Sequence, residues 1–200
     1  MTERGIFIAF EGGEASGKST QAARFAAARG ALLTREPGGT PLGERVRSIF
    51  LDPATGDVDG RAEALLVAAA RAQHVAQVIG PALASGRDVV TDRYTGSSLA
   101  YQGFGRGLPV EEVRALSTFA GAGLEPDLYV LLEVPVEVAA ARLGADRDRM
   151  ESAGDDFHQR VRQGYAQLAR TEGWVVIDGS GTPEEVERLV HDAVAARLPT

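Results

Sequence analysis

Residues 5–20 read "GIFIAFEGGEASGKST". The run over 5–11 is short, apolar and closed by glycines, which predicts a buried β-strand. Gly12, four residues, then Gly17-Lys18-Ser19 fit the spacing of a phosphate-binding loop. A helical pattern follows over 18–29, so the loop has the strand-before, helix-after context that such a loop needs. Glycines let backbone N–H groups converge on phosphate oxygens, and the helix N-terminus adds partial positive charge. At average residue frequencies the bare pattern arises by chance in on the order of one chain of this length in a hundred.

Lys18 is the only lysine beside 20 arginines. A compact ammonium threads between β- and γ-phosphates where a planar guanidinium is too large. Ser19 offers its hydroxyl to a Mg²⁺ ion. Gly12, Gly13, Glu14, Ala15, Ser16, Gly17, Lys18, Ser19 and Thr20 form the expected nucleotide-phosphate cradle.

Outward from the loop, strands and helices alternate. Further strands are expected at 31–34, 88–92, 127–134 and 174–178. Helices are expected at 41–50, 60–84, 95–102, 109–121, from Pro135 onward, up to about 171, and after a Thr182–Glu185 capping box. "REPGGT" (35–40) reads as a turn and "GFGRG" (103–107) as a break. Five apolar strands alternating with helices predict an α/β fold, a five-stranded parallel sheet with helices on both faces. The 200 residues fit one domain, 1–200, with a short lid over about 142–155.

Composition narrows the chemistry. The chain has no cysteine, which excludes disulfides and thiolate metal sites. His74, His158 and His191 lie far apart and read as surface or internally satisfied groups. A net charge of −7 argues against general nucleic-acid binding. No apolar run reaches membrane or signal-peptide length, so a cytoplasmic protein without a membrane partner is expected.

The chain has no asparagine, which removes the Asn-Lys-x-Asp guanine reader of regulatory GTPases. A small kinase or a nucleotide-binding module remains. Asp92 ends an apolar strand, where a carboxylate holds Mg²⁺ through water. Arg93 follows it, near the expected γ-phosphate. Ser98, Tyr101 and Gln102 share one helical face and suit an acceptor pocket.

Together with the loop, "TREPGGTPLGERVR" (34–47) and "DRYTGSSLAYQGFGRG" (92–107) resemble the bacterial thymidylate kinases. The resemblance runs from about residue 6 to the C-terminal helix. It implies a nucleoside monophosphate kinase that transfers the ATP γ-phosphoryl group to dTMP, giving dTDP and ADP for dTTP synthesis and DNA replication. It implies Mg²⁺ as cofactor and a homodimer as assembly. Residue by residue, it places Glu36 and Arg47 in the acceptor site, with Arg47 on the acceptor phosphate. It places Arg71 on a base carbonyl, and Ser98 and Gln102 at the thymine edge. Tyr101 crowds the sugar 2′ position, and Glu14 lies near the acceptor sugar and phosphate. Arg93 stands between the two substrates' phosphates.

Two positions depart from the family pattern. "LLVAAAR" (65–71) carries Val67 where the family stacks an aromatic on thymine. Ala15 is small where one branch carries an arginine; there a lid supplies the missing charge. The candidates here are Arg142, Arg147 and Arg149 in and beside "LGADRDRMES". An ionised phosphate acceptor needs no general base, so catalysis is expected from alignment and charge neutralisation by Lys18, Mg²⁺, Arg93 and the lid arginines. Two further readings stay open from sequence. One is a nucleoside monophosphate kinase of altered base preference, motivated by Val67. The other is a nucleotide sensor without turnover, against which the intact Lys18, Ser19, Asp92 and Arg93 count.

Overall fold

The structure, a computed structural model, describes residues 3–144 and 147–198. In chain order the strands are β1 (Phe7–Glu11), β2 (Leu32–Arg35), β3 (Val89–Asp92), β4 (Leu128–Glu133) and β5 (Val175–Asp178). They form one sheet ordered β2-β3-β1-β4-β5, and every neighbouring pair is parallel. All five residues of β1 are buried, which is what a central parallel strand covered on both faces requires.

The pleat sends alternate residues to opposite faces. Ile8 and Phe10 point into a cluster with Ala22, Phe25 and Ala26 of α1 (Lys18–Arg29) and Val186, Val190 and Val194 of α9 (Pro183–Ala195). Phe7 and Ala9 point the other way, against Val75, Ile79, Leu83 and Tyr94. A third cluster on that second face joins Leu131 to Tyr101, Phe157, Tyr165 and Trp174. The expected three-layer α/β arrangement is therefore present.

The remaining helices are α2 (Pro41–Leu51), α3 (Gly60–His74), α4 (Gly80–Ala84), α5 (Thr95–Ser98), α6 (Val110–Ala120), α7 (Val136–Arg142) and α8 (Asp155–Glu172). The helix expected over 60–84 is continuous in outline but contains a π-turn at Val75–Ile79, closed by the Gly80 N–H on the Val75 carbonyl. Pro81 explains it: without an N–H, and with a ring that crowds the preceding turn, it favours a wider local winding. The break expected at 103–107 comes later than the glycines predict. A π-segment, Leu99–Gly105, continues α5, and the chain leaves it at Gly107 (φ +76°). The Thr182–Glu185 capping box is formed, with Glu185 N–H on Thr182 Oγ1 and Thr182 N–H on Glu185 Oε2.

The register puts the site together. Phe10 pairs with Asp92, and Arg35 pairs with Asp92 from the other side. The carboxyl ends of β1, β2 and β3 thus deliver the glycine loop, the turn after Arg35 and Asp92-Arg93 to one edge of the sheet. That edge, where the order of strand addition reverses, is where open α/β sheets bind ligands.

Candidate active site

The glycine loop closes over the end of β1. At Gly12 (φ +149°) a β-carbon would sit 2.5 Å from the Leu132 carbonyl and 2.7 Å from Ser16 Oγ, so no larger residue fits. Lys18 is buried, with Nζ donating to the Gly13 carbonyl at 3.3 Å. Burial, then Arg93, lower its pKa, against Glu14, Asp92 and Glu11. Ser19 donates its hydroxyl to Asp92 Oδ2 at 2.5 Å. Asp92 Oδ1 is buried with no partner among the described residues. A serine hydroxyl beside an unsatisfied carboxylate oxygen is a donor set that fits Mg²⁺ held partly through water and phosphate. Among the described residues no group of three His, Cys, Asp or Glu forms an all-protein metal cage.

Arg93 stands between the loop and a neighbouring cavity. Its backbone is left-handed (φ +72°), which for a non-glycine residue costs of order 1–3 kcal/mol and persists only where the surroundings over-determine it. They do. Nη1 donates to the Gly12 carbonyl (3.0 Å), Ser97 Oγ (3.1 Å) and Tyr165 Oη (3.1 Å). Nη2 donates to Glu14 Oε1 (2.8 Å) and Tyr101 Oη (3.2 Å). Tyr101 also donates to Glu14 Oε1 at 2.5 Å. Burial opposes ionisation of Glu14, but Arg93, Lys18 and the Tyr101 hydroxyl outweigh it and hold the carboxyl at about 2.

The cavity is lined by Glu14, Glu36, Arg47, Phe50, Val67, Arg71, Arg93, Ser98, Tyr101 and Gln102, among others. Every residue expected in an acceptor site is therefore on its wall. Behind the wall lies a buried polar chain. Arg71 Nε donates to Glu36 Oε2 (2.8 Å) and Nη2 to Ser98 Oγ (3.0 Å). His74 Nδ1 meets Glu36 Oε1 (3.0 Å), and its Nε2 meets Thr34 Oγ1 (2.6 Å). The guanidinium of Arg71 lies 4.8 Å from the Tyr94 ring centroid. Its Nη1 is buried without a partner among the described residues. Arg47 is different: it donates to the Pro37 carbonyl (3.2 Å), and among the described residues it pairs with no carboxylate.

On the other side of the loop lies a wider groove between α7 and α8, lined by Gly13, Glu14, Ser16, Val136, Leu143, Arg147, His158 and Arg162 among others. The three arginines expected to act together do not lie together. Arg142 reaches over the loop to the carbonyls of Ala15 (3.5 Å) and Gly179 (3.0 Å). Arg147 lines the groove. Arg149 is turned into the fold: Nη1 donates to the fully buried Glu63 (2.6 Å), Nε to the Phe50 carbonyl (2.9 Å), and it lines neither cavity. Residues 145 and 146 of the expected lid lie outside the described residues.

Sequence reasoning did not single out Glu11, Phe50, Ser97 or Tyr165. Tyr165 comes from α8, far from the motifs, and Phe50 lies in α2 three residues beyond the motif that ends at Arg47. Glu11 had a local signal, its place directly before Gly12 at the end of a strand. The aromatic surface absent at Val67 enters the same cavity at Phe50, four residues beyond the buried Val46 on one face of α2.

The family model described as "Thymidylate kinase" matches residues 10–190. The thymidylate kinase of Desulforudis audaxviator is 50% identical over 175 residues, covering 84% of this chain and 79% of that protein. That of Desulfovibrio desulfuricans is 46% identical over 209 residues, covering 96% of each. That of Leifsonia xyli subsp. xyli is 49% identical over 203 residues, covering 97% of this chain and 96% of that protein. With a family match over most of its length and relatives at this identity and coverage, the chain belongs to the thymidylate kinase family.

Proposed function

We propose the following division of labour for transfer of the ATP γ-phosphoryl group to dTMP, which gives ADP and dTDP. The glycine loop and Lys18 hold the β- and γ-phosphates of ATP. Arg47, the arginine of the cavity that has no carboxylate partner among the described residues, holds the dTMP phosphate. Arg71, through its free Nη1, with Ser98 and Gln102, reads the base edge. Phe50, with the smaller Val67, forms the surface against the base, and Tyr101 flanks the sugar. Arg93 spans the two halves, because one guanidinium touches the loop carbonyl of Gly12 and lines the acceptor cavity. That double placement carries the reading.

The acceptor phosphate is ionised at neutral pH, so its oxygen attacks the γ-phosphorus without a general base. The bond to the bridging oxygen of ADP breaks as the new P–O bond forms. Lys18 and Arg93 neutralise charge on the transferring group and cost no reorganisation, because both are already fixed. Ser19 and Asp92 are the residues that would hold Mg²⁺, which would supply neutralisation of the phosphate charge. Arg147, which lines the groove, and Arg142, which reaches over the glycine loop, belong to the lid of the single kinase domain, about 142–155; closure of that segment keeps water from the γ-phosphate. Arg149 serves instead as the lid's anchor on Glu63.

A coupled ADP-release assay over a panel of nucleoside monophosphates tests the reading. The expected result is a kcat/KM highest for dTMP; a wide preference for another base overturns it. Ser19→Ala with Asp92→Asn is expected to weaken the Mg²⁺ dependence of that rate. The assembly is a cytoplasmic homodimer. Helix α3 packs between α2 and α6, and the three expose Leu42, Ile49, Leu65 and Phe119. Phe119, 86% exposed, is the largest such surface. Phe119→Glu is expected to yield a monomer by sedimentation; an unchanged species rejects this face. No helix among the described residues is long and apolar enough to cross a membrane.

A further inference from the structure

Arg93 needs acceptors, and three of its five are hydroxyls, which can turn either a lone pair or a proton toward it. Ser97 Oγ and Tyr165 Oη lie 2.8 Å apart and each 3.1 Å from Arg93 Nη1. Both also lie against one oxygen of Glu11: Ser97 Oγ donates to Oε2 at 2.6 Å and Tyr165 Oη at 3.1 Å. A carboxylate only accepts. Each hydroxyl has one proton: Ser97 gives its proton to Glu11, and Tyr165 gives its own to Glu11 or to Ser97, so both keep lone pairs for Arg93.

The other oxygen of Glu11 fixes the backbone. Oε1 accepts the N–H of Tyr94 (2.9 Å) and of Ser97 (3.0 Å), the first turn after Arg93. On the near side, Arg93 N–H donates to the Phe10 carbonyl at 2.9 Å, the residue before Glu11. The left-handed residue is thus clamped from both sides by the end of β1. Glu11 is fully buried and makes no direct ion pair among the described residues. Burial pushes its carboxyl above the usual value, against Ser97 and Arg93. A buried carboxylate of this kind is a costly way to fill space.

We propose that Glu11 is a positioning residue for phosphoryl transfer, the terminal acceptor of a Ser97–Tyr165 hydroxyl relay that orients the Arg93 guanidinium. The proposal rests on the reading of Arg93 as the residue spanning the two substrates. Glutamine at 11 cannot replace it in either orientation. With its amide nitrogen toward the hydroxyls, their protons turn on Arg93 Nη1. With the nitrogen toward the backbone, it faces the N–H groups of Tyr94 and Ser97. Each arrangement sets donor against donor.

The test is a double-mutant cycle on the full-length enzyme with ATP and dTMP, comparing the parent, Glu11→Gln, Arg93→Ala and the double variant. Glu11→Gln is expected to lower kcat by about 10- to 100-fold with KM for ATP within about twofold of the parent. In the Arg93→Ala background the same change is expected to cost less than about twofold more, because its target is gone. A parent-like kcat for Glu11→Gln beside an impaired Arg93→Ala overturns the inference about Glu11 alone. An equal cost in both backgrounds shows a general structural effect and also overturns it. A parent-like Arg93→Ala overturns the reading of Arg93 and the inference with it. If Glu11→Gln does not fold, Tyr165→Phe takes its place: it removes one relay lone pair and leaves the carboxylate. A severalfold fall in kcat at constant ATP KM, abolished in Arg93→Ala, supports the relay, and an unchanged kcat refutes it.

Discussion

The cavity proposed for the acceptor and the groove proposed for the donor share one loop and are built in opposite ways. On the acceptor side most charges are interior and mutually bonded, Arg47 excepted: Arg71 is 1% exposed and Glu36 2%, and Glu14 is held by Arg93 and Tyr101. On the donor side Arg142 and Arg147 are exposed, and α7 has no buried residue. The difference follows from what each half must do. Telling one base from another needs polar groups whose positions are set before binding, since a misplaced donor costs a hydrogen bond. Taking in ATP and then excluding water needs a wall that opens and closes, drawn from the least packed part of the fold. The loop itself belongs to the rigid half, because buried Lys18 lies on it and over-determined Arg93 bonds to its Gly12 carbonyl.

Lys18→Arg is the harshest test of that rigidity. The planar head cannot enter the slot of a buried ammonium, so kcat is expected to fall on the order of a thousandfold with an unchanged far-UV spectrum. Near-parent activity would mean that the loop yields. Arg71→Ala and Arg142→Ala contrast the two halves directly. The first leaves Glu36 buried against His74 without its cation, which costs about 3–5 kcal/mol and lowers Tm by roughly 10 °C. The second removes an exposed side chain bonded to carbonyls; stability is expected to change by less than about 1 kcal/mol while KM for ATP rises severalfold. Equal losses of Tm in the two variants would erase the distinction.

Acid tests the loop's own ion pair. The Glu14 carboxyl ionises at about 2 in the fold against 4.5 for the free group. A depressed folded pKa gives stability that is complete above the unfolded value and is lost as pH falls through the folded one. The contribution, roughly 3 kcal/mol at neutral pH, therefore drains away between about pH 5 and pH 2. Glu14→Gln is expected to lower stability at pH 7 and to flatten that acid limb in denaturation followed by fluorescence of the single tryptophan. An unchanged limb would place the acid sensitivity elsewhere.

Much of this was legible in the sequence because it is local. Apolar runs of strand length, the glycine spacing and Pro183 after Thr182 each act within a few residues; the five strands start within two residues of where they predict, and the last helix starts at Pro183. Motif residues such as Glu36, Arg47, Arg71 and Gln102 also fell together on one cavity. What escaped depends on packing between distant segments. Nothing near Tyr165 says that its hydroxyl meets Glu11, since 154 positions separate them. The lid arginines read as a set because they are close in sequence. Arg149 left the set because Glu63, buried at the foot of α3 and also bonded to Arg106, offers it a desolvated partner that no solvated loop position can match. The π-segment was invisible for a related reason: its wider turn is set by contacts with α8, and glycine alone predicted only a stop.

The smallest effect concerns Val67. Read alone, a valine in place of an aromatic predicts weak base binding, and Val67→Phe should then lower KM for dTMP substantially. The cavity changes that expectation, because Phe50 already brings a ring to the same wall, and Arg149 lies 5.2 Å from its centroid and fixes it. Val67→Phe is therefore expected to change KM for dTMP by less than about threefold, since one base presents only two faces and one is served. Phe50→Leu should raise the same constant by about tenfold, the scale of one lost stacking contact. A tenfold gain from Val67→Phe with no loss from Phe50→Leu would show that the ring at 50 does not meet the base, and that the rigid half of the site lacks one of its walls.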